Sequence, residues 1–447
     1  MSTLEQKKKL ELGSKSAAAT TWLNGSPETA DRIELTDVQL DKFRAMLQPV
    51  LSSNAFYRHK LTESGLSNPL DIKRIEDLQG LPFTTKEELA DDQIESLPYG
   101  TNLTFEREHY TRLHQTSGTT GQPLRWLDTE KSWDWWARCW ASVYRAAGVS
   151  RHDRIFFAFS FGPFIGFWSA HRGAEKIGAL AVTGGGMSSY QRAKAICDHE
   201  VTVLVCTPTY ALHLIEVGED EGIDLAASDI RLAIHAGEPG ASVPGTKERI
   251  QNAWQAACFD HAGATEVGAW GFDCGVHTGM HVNEAEFICE VIDPVSGQPA
   301  SEGELVLTNL GRIGSPVIRY RTGDRVSISK SPCQCGRSFI HLDGGIAGRI
   351  DDVIIVRGVN IFPSAIENVV RKFPEIGEFA VDVYRRKELD ELEIRIEVRP
   401  GGNPEDIAVA LSKEIRAAFG VLAQTTTVPF GVLPRFDLKA RRVSLHR

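Results

Sequence analysis

Hydroxyls and glycines crowd together in Thr116-Ser117-Gly118-Thr119-Thr120-Gly121, and that mixture suits a polyphosphate. Glycines let backbone amides come close to phosphate oxygens, and the Thr and Ser hydroxyls donate further hydrogen bonds. No lysine follows Gly121, so this is not a Walker loop, and any lysine at the phosphates must come from elsewhere in the chain. Taken alone, the hexapeptide reads as a Ser/Thr/Gly turn. Five further polar segments keep it company, in this order: His235-Ala-Gly-Glu-Pro239, Asp260-His-Ala-Gly-Ala-Thr-Glu266, Tyr320-Arg-Thr-Gly-Asp324, the run from Gly348 to Pro363, and Arg435-Phe-Asp-Leu-Lys439.

The elements that must position these residues follow from periodicity and punctuation. A helix is predicted from Lys86, after the loop Leu81-Pro-Phe-Thr-Thr-Lys86, and a tryptophan-rich helix over Trp133–Tyr144. Arg154–Phe159 and Val201–Val205 read as buried strands, with helices over 166–178 and 190–198 between them. Strand, helix, strand alternation of this kind makes the fold class α/β, with a largely parallel core. Glu304–Thr308 and Val317–Tyr320 read as strands of a smaller β part. A fresh α+β pattern starts near Gly348: Ile354–Val356, a helix over Pro363–Lys372, and strands over Glu378–Tyr384 and Leu392–Val398. Two domains are expected, a large N-terminal domain over 1–348 and a small C-terminal one over 349–447, a usual size for a small domain.

In this order, the six segments resemble the adenylate-forming ligases of the acyl-CoA synthetase superfamily. Pro82-Phe-Thr-Thr-Lys86 and Arg357-Gly-Val-Asn-Ile-Phe-Pro363 are similar to the phenylacetate–CoA ligase branch. The resemblance covers almost the whole chain, and each motif is weak singly but specific in combination. It implies an N-terminal adenylation domain and a mobile C-terminal lid. By that resemblance Thr116, Ser117, Gly118, Thr119, Thr120 and Gly121 grip ATP phosphates, and Asp324 takes the ribose hydroxyls. Glu266, beside Thr265, would hold Mg²⁺, a hard cation that uses few protein carboxylates. Gly237, Glu238 and Pro239, with Asp260 and His261, match the adenine walls; tight-turn chemistry accounts for them nearly as well. Arg349 would approach the nucleotide from the domain joint, with Asp351 as the hinge. Lys439 would bridge the substrate carboxylate and the α-phosphate, and with Glu266 and Thr116 forms the expected catalytic set. A turn aspartate would explain Asp324 alone and a solvated basic tail Lys439 alone; the shared order favours the ligase roles. One departure stands out: where the family places an aromatic to stack on adenine, this chain has Ala262.

Cysteines form a second constellation. Cys333-Gln-Cys335 lies in a Pro/Gly-flanked loop, and Cys274 precedes Gly279-Met280-His281 by a short turn. Three thiolates and an imidazole make a closed tetrahedral Zn²⁺ site, structural because no coordination position stays open. Some relatives in the phenylacetate–CoA ligase branch carry such a cluster at matching places. His277, spaced Cys-x-x-His from Cys274, is the alternative fourth ligand; the place after Gly-Met favours His281. The plain alternative is a set of reduced residues in a loop. Cys139, Cys197, Cys206, Cys258 and Cys289 lie in apolar runs and read as core thiols.

Composition sets the outer bounds. The 447 residues are 24% charged and 42% hydrophobic, an ordinary globular balance with room for more than one domain. A net charge of −10 argues against a nucleic-acid partner. No apolar run is long enough to span a membrane, and Met1–Leu10 lacks the apolar core of a signal peptide, so a cytoplasmic location is expected. The aromatic stretches over 133–140 and 156–168 are mostly core by composition. Some of Tyr144, Phe161, Phe164, Ile165 and the Gly184–Met187 run are expected to line a flat apolar slot for an aromatic or cyclic carboxylic acid. The expected function is therefore an ATP- and Mg²⁺-dependent acid ligase, a phenylacetate–CoA ligase-like enzyme that forms an acyl-adenylate and passes the acyl group to CoA. An amide-forming ligase of the coronafacate–amino acid type, with an amino acid as acceptor, is the alternative. A non-catalytic nucleotide-binding protein is the remote one, disfavoured because a decayed site would lose Glu266, Asp324 and Lys439 first.

Overall fold

The structure, a computed structural model, describes residues 27–116, 123–350, 352–356, 359–386, 389–436 and 440–446. They divide into two compact units, the described residues up to 185 with 261–345, and 186–260 with those from 346 onward.

In the first unit, the helices Arg32–Ser53 and Ala55–Glu63 are punctuated by side-chain caps. Asp31 accepts from the Glu34 amide, and Asn54 accepts from the Tyr57 amide to start the second helix as the first ends. Their apolar faces (Phe43, Met46, Leu47, Val50, Tyr57) share a core with Leu310 and with Ile288 of an antiparallel sheet built from Phe287–Ile292, Glu302–Asn309 and Tyr320–Ser327. The last of these strands begins where the sequence reading ended one. Pro316 and the left-handed Arg319 (φ 48°) keep 317–319 from extending, so the strand runs from Tyr320 through the Arg-Thr-Gly-Asp segment instead.

The tryptophan-rich helix Glu130–Ala146 is capped by Thr129 and buries Trp133, Trp135, Trp136 and Trp140. It packs on the helix Ile165–Ile177 and on the strand Gly268–Asp273. Arg154–Phe157 pairs in parallel with Leu180–Thr183, the helix Ile165–Ile177 making the crossover. Ala257–Ala264, Gly268–Asp273, Gly279–Val282 and His341–Asp343 follow as antiparallel neighbours.

The second unit opens on the parallel strands Val203–Cys206 and Leu232–Ala236 with the helices Ser189–Asp198, Pro208–Glu221 and Pro244–Trp254. Its later part is α+β as the sequence reads. Ile376–Arg386 and Leu389–Val398 pair antiparallel, and each takes a parallel edge partner, Val443–His446 and Ala423–Val428. The helices Pro363–Val370 and Pro404–Phe419 cover that sheet over a core of Ile366, Val369, Phe379, Val381, Ile394, Leu411 and Ile415. The fold is thus mixed α/β, with parallel pairs where strand–helix alternation requires them. Among the described residues no helix is long and apolar enough to cross a membrane.

Candidate active site and candidate metal centre

In the first unit, the strand Tyr110–Gln115 leads to Thr116 and pairs with Arg125–Thr129 in an antiparallel hairpin. Thr116 is buried and closes its base: its amide donates to Leu124 O at 3.0 Å, and its Oγ1 accepts from the Leu124 amide at 2.9 Å. Ser117, Gly118, Thr119, Thr120 and Gly121 lie outside the described residues.

Glu266 sits buried in the three-residue turn between Ala257–Ala264 and Gly268–Asp273. Gly268 allows this turn. Its φ is +135°, and a Cβ there would come within 2.6 Å of the Trp135 ring. Lys86 Nζ lies 3.8 Å from Glu266 Oε1. The Phe83–Lys86 segment reaches that place as a short extra strand: the Thr84 amide donates to Arg319 O, and the Arg321 amide donates to Thr84 O, both at 2.9 Å. Thr85 then caps the helix Lys86–Glu95 in a capping box with Glu88. A lysine in the first helical turn opposes the helix dipole, a cost that Glu87 and Glu88 in the same turn offset. The sequence reading asked for a lysine from elsewhere without choosing Lys86; the absent Walker lysine and the Pro82–Lys86 signature were its available signals.

Asp324 is half-buried on the strand Tyr320–Ser327. Thr322 organises the approach to it, donating its hydroxyl to Leu305 O at 2.8 Å and accepting from the Asp324 amide at 3.0 Å. Gly323, at φ 74°, donates its amide to Glu304 Oε1 at 3.1 Å, beside the strand's register shift. Thr265 is half-buried in the Glu266 turn. His261 is buried, its ring 4.2 Å from that of Trp140 and its Nδ1 donating to Gly271 O at 2.8 Å. Burial lowers its pKa to about 4, so it is a neutral imidazole at pH 7. Ala262 is also buried.

In the second unit, Asp260 gathers three amides of one loop, Gly240 at 3.2 Å, Ala241 at 2.6 Å and Ser242 at 2.7 Å. Its carboxylate therefore shapes the loop after Gly237-Glu238-Pro239, where Gly237 takes φ 96°. Glu238 accepts from the amides of Thr209 at 3.0 Å and Ala440 at 2.9 Å. Ala440 directly follows Lys439, which, like Asp351, lies outside the described residues. Arg349 is exposed.

Two of the expected slot residues are core in the first unit. Tyr144 is fully buried and donates to Ala170 O at 2.8 Å, and Ile165 is buried. Phe161, Phe164 and Phe167 are half-buried, and Phe161 stands edge-on to the exposed Trp168 at 4.7 Å. Gly185 lies close under Phe161, where a Cβ would come within 3.3 Å of the ring.

The ligand atoms of Cys274, His281, Cys333 and Cys335 all lie within 4.8 Å of one another. Cys274 Sγ and Cys333 Sγ are 3.7 Å apart, and Cys335 Sγ is 3.3 Å from His281 Nε2. A tetrahedron with the usual Zn–S bond has S···S edges of about 3.8 Å, so the donor set fits. His281 Nδ1 faces Phe339 O at 3.3 Å, which leaves Nε2 for the cluster. His277 instead pairs with Asp273 at 2.7 Å. The Cys274 thiol donates to Cys335 and, with His281, favours the Cys335 thiolate, so Cys335 titrates far below a free thiol and Cys274 above it. Of the presumed core thiols, Cys139, Cys206 and Cys258 are buried, while Cys197 and Cys289 are half-buried.

Comparison with known proteins follows the same lines. Residues 358–447 match the family model of the AMP-binding enzyme C-terminal domain. The chain is 32% identical to the phenylacetate-coenzyme A ligase of Pseudomonas putida, over 93% of this chain and 95% of that protein. It is likewise 32% identical to the Escherichia coli K12 phenylacetate-coenzyme A ligase, over 93% of this chain and 96% of that one. Among solved structures, 2-hydroxyisobutyryl-CoA ligase in its postadenylation state matches with a TM-score of 0.89 and 28% identity, covering 94% of this chain and 91% of that one. The same ligase with 2-HIB-AMP and CoA in its thioesterification state gives 0.71 over the same shares.

Proposed function

The chain belongs to the phenylacetate–coenzyme A ligase family, and we propose that it activates an aromatic or cyclic carboxylic acid with ATP and transfers the acyl group to CoA. The observation that carries this reading is Glu266 in a buried turn with the Lys86 ammonium 3.8 Å from its carboxylate, which sets a cation suited to phosphate oxygens beside a carboxylate able to hold Mg²⁺. Lys86 supplies the fixed cation that the Thr116–Gly121 loop lacks, while Glu266 offers the single carboxylate that a Mg²⁺ ion on a triphosphate typically takes from protein. Bound Mg²⁺ would neutralise charge on the pyrophosphate leaving group. Asp324 would hold the ribose hydroxyls. The loop after Gly237, shaped by Asp260, would offer backbone groups to adenine, and Arg349 would join the nucleotide from the later domain.

We place the adenylation domain at 1–348 and the lid at 349–447, with Asp351 as hinge. The solved relative occurs in both a postadenylation and a thioesterification state, which supports a lid that changes places between the two half-reactions, with Lys439 serving the first. The half-buried rings of Phe161, Phe164 and Phe167 favour a flat acid. Zn²⁺ on Cys274, His281, Cys333 and Cys335 would be structural, and the location cytoplasmic. CoA is favoured over an amino acid as acceptor because the full-length relatives are CoA ligases.

The test is acid-dependent ATP–pyrophosphate exchange across a panel of aromatic and cyclic acids, followed by mass spectrometry of products formed with CoA or with amino acids. The expected product is an acyl-CoA; an amide formed only with an amino acid would select the other acceptor, and no exchange with any acid would overturn the reading. Lys86→Met should raise the KM for ATP about 10- to 100-fold, the usual weight of a hydrogen bond to a charged group. A folded Lys86→Met protein with the wild-type KM would remove Lys86 from the site.

A further inference from the structure

Beneath the Glu266 turn lies a buried ion pair that none of the expected nucleotide contacts uses. Arg312 and Asp128 are both fully buried and joined by two parallel hydrogen bonds, Nε to Oδ1 at 2.8 Å and Nη2 to Oδ2 at 2.7 Å. The remaining guanidinium nitrogen points at the turn: Nη1 donates to Thr265 O at 2.5 Å and to Glu266 O at 3.2 Å. The guanidinium carbon lies between two indoles, 5.0 Å from the Trp126 ring centre and 5.3 Å from that of Trp136. His114 approaches Asp128 to 3.9 Å, and burial lowers its pKa to about 4, so it adds no charge at pH 7.

Asp128 belongs to Arg125–Thr129, the second strand of the hairpin whose base Thr116 closes. The loop that carries Arg312 is stitched to the same hairpin: Ser315 Oγ donates to Leu127 O at 2.9 Å, and Tyr110 OH donates to Gly314 O at 2.6 Å. Gly311 lets this loop run against the tryptophan helix, since a Cβ there would come within 2.0 Å of Trp135. One guanidinium therefore ties the strand leading out of the Thr/Gly loop to the backbone that carries Glu266.

An ion pair this deep is costly to desolvate, and replacing it with apolar side chains is often neutral or stabilising, so stability is a weak reason for it. What an apolar pair cannot reproduce is a rigid planar donor that grips a carboxylate and two carbonyls at once. We propose that Arg312, anchored by Asp128, is a positioning residue that fixes the Thr265–Glu266 backbone relative to the Thr116 hairpin and so sets the geometry of the Mg·ATP triphosphate. This rests on the nucleotide role given above to Glu266.

The test compares wild type, Arg312→Lys and the double variant Arg312→Met/Asp128→Leu. Equilibrium binding of Mg·ATP is measured by calorimetry, KM values for Mg·ATP and for phenylacetate by pyrophosphate exchange, and folding by thermal melting. The double variant, free of any buried unpaired charge, should melt close to wild type yet bind Mg·ATP about 10- to 100-fold more weakly, the usual weight of hydrogen bonds from a charged group. Its KM for the acid should hold. Arg312→Lys keeps the charge but cannot fork, and should show the same split. Wild-type Mg·ATP affinity in a folded double variant overturns the proposal; if the double variant does not fold, wild-type affinity in folded Arg312→Lys does so. A wild-type protein that binds Mg·ATP but exchanges pyrophosphate with no acid defeats the ligase reading alone, because the binding arm still decides the role of Arg312.

Discussion

Replacing Lys439 with alanine should slow adenylation by about two to three orders of magnitude, the usual effect of deleting one preorganised charge at a transition state. As the carboxylate attacks the α-phosphate, negative charge builds on the phosphorus oxygens and on the leaving pyrophosphate. A fixed ammonium helps most where charge grows between ground and transition state; adenylation forms a pentavalent phosphorus, whereas in the transfer step the thiol attacks the acyl carbon and AMP leaves without any new bond at phosphorus. Lys439→Ala given chemically made acyl-adenylate should therefore still form thioester at close to the wild-type rate. The substitution should leave the fold intact, because the chain beyond it is tied independently: the Ala440 amide donates to Glu238, and buried Arg442 pairs with Glu378 at 2.7 Å. Asp351→Pro should show the converse, with adenylation largely kept and transfer slowed, since a fixed φ resists the hinge turn. Pyrophosphate exchange reads the first half-reaction and thioester formation from supplied adenylate reads the second. Equal loss of both in Lys439→Ala would rule out the division of labour.

The sequence was informative wherever a local rule and the global fold agree. Thr85 with Glu88 announces the helix at Lys86, and strand–helix alternation announces the parallel pairs. Cysteine and histidine spacing led to four residues whose donor atoms the fold brings within 4.8 Å of one another. Arg312 was not legible: Asp128 lies 184 positions away, and an Arg-Ile-Gly turn has no signature of burial. Lys86 was half legible, as a family signature whose partner Glu266 is 180 residues distant. Glu238 and Asp260 stand in motifs that the sequence singles out, but their side chains organise backbone amides, a role no residue type declares. Where the reading moved a strand, at 317–320, the left-handed Arg319 was the cause, and nothing in an Arg–Tyr pair signals a positive φ.

Protein purified without chelator should carry about one zinc per chain, the stoichiometry of a single four-ligand site. The cluster joins segments distant in sequence, the end of the strand Gly268–Asp273, the neighbouring strand Gly279–Val282, and the 333–335 loop. Around it, Arg337 pairs with Glu28 at 2.7 Å, and Arg32 donates to buried Glu284 at 2.6 and 2.7 Å. Zinc bound only in the folded state adds its binding free energy to stability. Cys335→Ser, or removal of the metal, should cost several kcal/mol; at about 2–4 °C per kcal/mol for a body of this size, the melting midpoint should fall by about 10 °C. Activity should respond differently. Cys274 and Glu266 flank opposite ends of the six-residue strand Gly268–Asp273, which is about 20 Å long at the usual rise per residue, so a metal held at the cluster would not reach the Glu266 turn. Adenylation per folded molecule, measured well below the lowered midpoint, should therefore stay within about twofold of wild type, as expected for a closed structural site. Metal-free protein that melts like the wild type would exclude a structural zinc. A large loss of exchange at unchanged melting would instead assign the metal to catalysis.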